Sequence, residues 1–156
     1  MRILGIDPGS TAMGFAILET TKVGGLVVLH YGATSIKAKE LGEKLRLIKS
    51  HLEKILKTYR PERAGLERLF FAKNKKTAFE VAQARGVILL TLIEHGLTPV
   101  ELTPGEIKIA VTNYGAADKQ MVAKMVGLLL GISTVNDDDN ATDALAVAIA
   151  ASRTQT

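Results

Sequence analysis

The chain contains no cysteine, which excludes both a disulfide framework and a thiolate metal centre. It also lacks any apolar run near the roughly 18 residues that a membrane-spanning helix needs. Its start, MRILGID, reads as a strand rather than as a charged leader followed by an apolar signal core. A soluble protein with a cytoplasmic address and no membrane partner is therefore expected. Histidine is sparse too: His30, His51 and His95 are scattered through the element plan. They offer no zinc cage or catalytic triad, and each reads as structural.

What is present fits one domain spanning 1–156. At 156 residues and 47% apolar content, the chain can bury a proper core without covalent staples. Twenty Lys and Arg against sixteen Asp and Glu leave a net charge of +4, too mild to identify a nucleic-acid partner by itself. The distribution says more. Positive charge gathers in residues 37–57 and 72–76, whereas acids concentrate at 137–143. Solvated helix faces explain such runs most simply. A local acidic cluster in a basic protein also suits metal-dependent chemistry on a polyanion.

RILGID, GFAILET and GLVVLHYG read as three strands, joined by tight turns into an antiparallel meander. Leu41, Leu45, Ile48, Leu52, Ile55 and Leu56 then fall on one helical stripe, giving an amphipathic helix that ends near Pro61. ERAGLE is a fourth strand, ending in Glu67. A helix over 77–95 carries apolar residues around much of its circumference, which implies burial on more than one side, the second by a subunit partner. TPVEL is a fifth strand. Thr103 and Glu106 have capping-box spacing, with Pro104 at the first helical position of a short helix carrying Lys108. Helices over 118–130, closed by Gly131, and over 141–152 complete the plan. The order β β β α β α β α α α implies an α/β fold, a five-stranded mixed sheet flanked by helices.

The segment NDDDNATDALAVAIA, 136–150, places more acids at a helix entrance than capping needs. Asp7 and Glu67 each end an apolar strand. If those strands lie parallel and adjacent, as the intervening helix permits, the two carboxylates converge at one sheet end. Asp143, with Asn140 or Asp139 beside it by helical spacing, would complete an acidic cluster. Oxygen ligands without thiolate or clustered imidazole favour Mg²⁺, with Mn²⁺ able to substitute. A pair of such ions can activate water and stabilise the leaving oxygen of a phosphodiester.

These residues resemble the RuvC-type Holliday-junction resolvases, within the RNase H-like or retroviral-integrase superfamily. The likeness is carried by LGIDPGS (4–10), GLERLFFAKN (65–74), QARGV (83–87), IK (107–108), ADK (117–119) and ATDALAVAIA (141–150). The resemblance implies a homodimeric endonuclease that binds four-way DNA junctions and makes paired symmetric nicks in recombination and repair. It also implies two divalent ions per active site and an associated branch-migration helicase complex. Asp7, Glu67 and Asp143 match three of the family's four acidic positions, and Asn140 falls on the fourth, where members usually carry Asp and some carry His.

A neutral amide cannot act as a base and adds no negative charge to a metal site. Three readings stay open: a deliberate or crippling exchange of acid for amide, a native amide ligating weakly through its carbonyl, or Asp139 swinging in to replace it. Phe70 and Phe71, followed by Lys73, Lys75 and Lys76, suit either core packing or a loop that wedges a ring between bases while lysines grip phosphate. The resemblance places the wedge at Phe70. It also makes Lys108 and Lys119 candidates for contacting the scissile strand; Lys119 sits at a helix N-terminus, where the dipole mildly disfavours positive charge, a misfit that surface solvation explains and that a docked phosphate would reverse. Arg85 suits a phosphate contact or a dimer seam. Two other classes compete: a junction-binding architectural protein without cleavage, and a nucleotide-binding domain of the actin and sugar-kinase type, suggested by IDPGST but lacking a second glycine-rich loop.

Overall fold

The computed structural model describes residues 1–68, 75–133 and 138–154, with residues 75–77 described by their backbone alone. The elements are β1 (Arg2–Asp7), β2 (Ala12–Thr20), β3 (Leu26–Ser35), α1 (Leu41–Tyr59), β4 (Arg63–Glu67), α2 (Lys75–Glu94), β5 (Val100–Leu102), α3 (Pro104–Thr112), α4 (Lys119–Leu130) and α5 (Asp139–Arg153). Their order is the one read from the sequence. The capping box forms, with Thr103 accepting from the Glu106 N–H and the Glu106 side chain accepting in return. Gly131 closes α4 in the left-handed region at φ 65°. The last helix starts at Asp139 rather than at Ala141, because the Asp138 carboxylate accepts the Asn140 N–H at 2.8 Å and caps it.

The sheet has the order β3-β2-β1-β4-β5. Strands β1, β2 and β3 form the antiparallel meander. Helix α1 then carries the chain over to β4, which lies parallel to β1, and β5 is parallel to β4. Side chains alternate across the pleat. Leu4, Ile6 and Leu66 pack towards α1 and α2, whereas Ile3 packs with α3, α4 and α5 on the other face. No helix among the described residues is long and apolar enough to cross a membrane.

Helix α5 is buried along nearly its whole length, from Ala141 to Ala151, and this explains why the acidic entrance gives way to an apolar run. It lies unusually close to the sheet. A Cβ added to Gly5 would stand 2.2 Å from the Ala144 carbonyl oxygen and 2.7 Å from the Ala148 Cβ; one on Gly65 would stand 2.7 Å from the Ala151 Cβ; one on Gly14 would stand 2.0 Å from the Asn140 carbonyl oxygen. The helix therefore crosses β2, β1 and β4 on a path of glycines, presenting alanines at helical spacing.

A single methyl at this contact is expected to separate helix from sheet. Gly5→Ala should cost about 3 kcal/mol in urea unfolding at fixed protein concentration. Gly42→Ala on exposed α1, where an added Cβ meets nothing within 4 Å, should be neutral or slightly stabilising. Equal effects of the two substitutions would show that the glycine path is not sterically required.

Candidate active site

The glycine path also aims the acids. Asp7 stands two residues beyond Gly5 and Glu67 two residues beyond Gly65, and Gly5 and Gly65 are register partners in the parallel β1–β4 pair. With the side-chain period of two, both carboxylates emerge on the α5 face, at the carboxyl ends of adjacent parallel strands. Gly14 pairs with Asp7 across β1 and β2 and admits the first turn of α5 at Asn140. One turn further, Asp143 is the half-buried acid in an otherwise buried helix face.

The electrostatics show the convergence. Burial pushes the Asp7 carboxyl up to about 7, reinforced by the negative charges of Glu67 and Asp143. Glu67 is raised by burial and then by Asp143, and Asp143 is raised by burial and opposed by Lys119. Lys119, at the first position of α4, places its Nζ 3.0 Å from Asp139 and 3.3 Å from Asp143. Burial pulls the Lys119 ammonium down, but these carboxylates outweigh it and hold it above its ordinary value. Among the described residues no three acidic or imidazole side chains are drawn together closely enough to hold a metal ion. Lys119 engages Asp139 and Asp143 at the start of α5.

The chemistry of this donor set nevertheless fits a hard divalent cation. The donors are oxygen only, and their raised pKa values record the repulsion and desolvation that a cation would relieve. Asn140 is neutral, and its Nδ2 donates to the Asp138 carboxylate at 2.8 Å. Asp139 is mostly exposed and paired with Lys119.

A cleft of about 270 Å³ is lined by Glu67, Asp143, Lys108 and Lys119, with Ile107, Val122 and Val147 among its apolar walls. A wider hollow of about 640 Å³ shares Lys119 and Asp143 with it and adds Asp139 but lacks Glu67, so the smaller cleft is where an acid from a strand and one from α5 meet two lysines; Asp7 lines neither. Arg85 faces neither cleft. Its guanidinium pairs with Glu101 and donates from Nε to the Glu67 carbonyl oxygen at 3.1 Å. Phe70, Phe71 and Lys73 lie outside the described residues; Lys76 is in the first turn of α2, where only the backbone is described. The partnership of Arg85 with Glu101 and the pairing of Lys119 with Asp139 escaped the sequence reading. The glycines two residues before each strand-end acid were visible there and would have placed both acids on one face.

Asp7 binds its proton more tightly in the folded protein than in the unfolded chain. Its contribution to stability is thus undiminished below its ordinary value of 3.8, declines as the pH rises, and reaches its full penalty above about 7. In EDTA, the stability to unfolding should fall between about pH 4 and about pH 7, and Asp7→Asn should flatten that decline by a few kcal/mol. An unchanged slope in Asp7→Asn would show that Asp7 ionises normally.

Comparison with known proteins finds relatives over nearly the whole chain. The family model described as crossover junction endodeoxyribonuclease RuvC matches residues 3–151. The crossover junction endodeoxyribonuclease RuvC of Caldicellulosiruptor saccharolyticus is 42% identical over 151 residues, covering 96% of this chain and 90% of its own. The Thermus thermophilus RuvC structure superimposes with a TM-score of 0.85 at 29% identity, covering 96% of this chain and 92% of that one. The same protein in complex with Holliday junction substrate gives a TM-score of 0.85 at 26% identity, with the same coverage. With the family model matched over residues 3–151 and a 42% identical relative covered over nearly its full length, the chain belongs to the RuvC family of crossover junction endodeoxyribonucleases.

Proposed function

We propose that this chain is a structure-selective endonuclease that binds four-way DNA junctions as a homodimer and nicks two strands symmetrically. The observation that carries the reading is that the charges of Glu67 and Asp143, from β4 and α5, act on the buried Asp7 carboxyl of β1, while Glu67 and Asp143 line a cleft with Lys108 and Lys119. Asp7, Glu67 and Asp143 hold the divalent ions that the family implies, Mg²⁺ or Mn²⁺ and two per site in our reading, with Asn140 a weak carbonyl ligand at most. When bound, such ions supply Lewis acidity for phosphodiester hydrolysis. Lys119, now shared between Asp139 and Asp143, turns to the scissile phosphate, and Lys108 contacts it from α3. The apolar walls limit water around the reacting phosphate. Phe70 and Phe71 open the junction centre while Lys73 and Lys76 grip the backbone, a role that rests on sequence alone.

The amide at position 140 weakens cleavage. It carries no charge, and its Nδ2 is engaged with Asp138 by a hydrogen bond that an aspartate could not donate. Asp139 does not replace it, because it is held by Lys119. Asn140→Asp should therefore raise Mg²⁺-dependent nicking of a synthetic junction by on the order of 10- to 100-fold. Equal rates would show that the amide is not limiting. Absence of nicking in both proteins would favour a non-cleaving junction-binding role.

The dimer surface is assigned to α2. Its inner side packs Ala84, Ile88 and Leu92 into the core, while Phe79, Leu90 and Ile93 are 74%, 56% and 48% exposed. Gly86 lies between them, and an added Cβ there meets nothing within 4 Å. A mid-helix glycine costs up to about 1 kcal/mol relative to alanine, and close approach of a second helix gives it a reason. Leu90→Glu should shift sedimentation at micromolar concentration from dimer to monomer and uncouple the two nicks. A dimer that persists would place the interface elsewhere.

A further inference from the structure

We propose that Arg85 is a positioning residue that fixes Glu67, and not a phosphate ligand; this rests on the reading of Glu67 as an active-site carboxylate. Glu67 is the last residue of β4. Its strand pairs with β1 only as far as Leu66, opposite Ile6, and with β5 to Glu67 itself, opposite Leu102. The next residue is tied by the Arg68 N–H to the Leu102 carbonyl at 2.7 Å. The Glu67 carbonyl takes its hydrogen bond from a different element, Arg85 Nε on α2, at 3.1 Å. The same guanidinium pairs through a terminal nitrogen with Glu101 on β5. One planar fork thus joins α2, the end of β4 and β5 at the residue that presents the carboxylate.

The Arg85 side chain is only 17% exposed and Glu101 is 37% exposed. Recruiting Arg85 to DNA phosphate would strip the Glu67 carbonyl of this hydrogen bond and leave Glu101 without its cation, a loss that phosphate must first offset. Lysine cannot reproduce the arrangement, because a point charge does not bridge two acceptors in fixed planar geometry. A backbone anchor matters here since metal-binding carboxylates tolerate only small displacements.

Arg85→Gln, Arg85→Lys, Glu101→Gln and Glu67→Gln would be compared in the full chain carrying Asn140→Asp. Three readouts serve: junction affinity across a salt series, single-turnover nicking, and Mn²⁺ affinity measured by EPR without DNA. In Arg85→Gln, Mn²⁺ affinity and nicking should each fall about 10- to 100-fold, with junction affinity and its salt slope unchanged. Arg85→Lys should recover only part of the loss, and Glu101→Gln, which keeps the bond to Glu67, should fall between. A phosphate contact predicts the reverse pattern, a salt slope lower by about one and Mn²⁺ affinity intact, and that result overturns the proposal. Should Arg85→Gln fail to fold, normal Mn²⁺ affinity and nicking in both Arg85→Lys and Glu101→Gln would overturn it. Full nicking by Glu67→Gln would sink the underlying active-site reading, whereas an inactive Glu67→Gln beside a fully active Arg85→Gln would sink the positioning role alone.

Discussion

The close seating of α5 on Gly14, Gly5 and Gly65 is the contact on which the rest of the site depends. A helix resting on ordinary side chains stands well clear of a sheet. Here the backbone of α5 approaches until a single methyl would collide, and its small residues Ala144, Ala148 and Ala151 face the gap. That proximity brings the first turn of α5 down to the carboxyl ends of β1 and β4. Without it, Asp143 would lie above Asp7 and Glu67 rather than among them.

The arrangement sets stability against chemistry. Three acids raised by burial, two of them raised further by one another, oppose folding when ionised, and the apolar burial of α5 offsets that opposition. Lys119 tempers it further by sharing its charge between Asp139 and Asp143. Both roles of Lys119 come from its location at the start of α4. Its ammonium offsets the acidic turn, and it lines the smaller cleft beside Glu67 and Asp143. Asn140 alters the balance in the opposite sense, since its amide relieves repulsion by donating to Asp138 while removing a charge that a cation would use.

Helix α2 joins functions that would otherwise be separate. One face completes the core against α1 and the sheet, Arg85 reaches the backbone of Glu67, and the outward stripe of Phe79, Leu90 and Ile93 is exposed. A displacement of this helix therefore bears on both that exposed stripe and the backbone of Glu67.

Most of the fold was legible in the sequence, because periodicity, turn glycines and capping residues act over a few residues. The meander, the α1 stripe, the Thr103–Glu106 box and the Gly131 stop all form as read. The candidate acids were legible too, since Asp7 and Glu67 end apolar strands and Asp143 interrupts an apolar helix. Other features depend on contacts between residues distant in the chain. The start of α5 at Asp139, the turning of Asn140 towards Asp138, the pairing of Lys119 with Asp139 and Asp143, and the engagement of Arg85 by Glu101 and Glu67 belong to this group. Local sequence determined which groups were charged and on which element each stood. Only tertiary packing decided which charges met, because a long polar side chain selects its partner by distance and burial, and neither exists until the sheet and its helices are assembled.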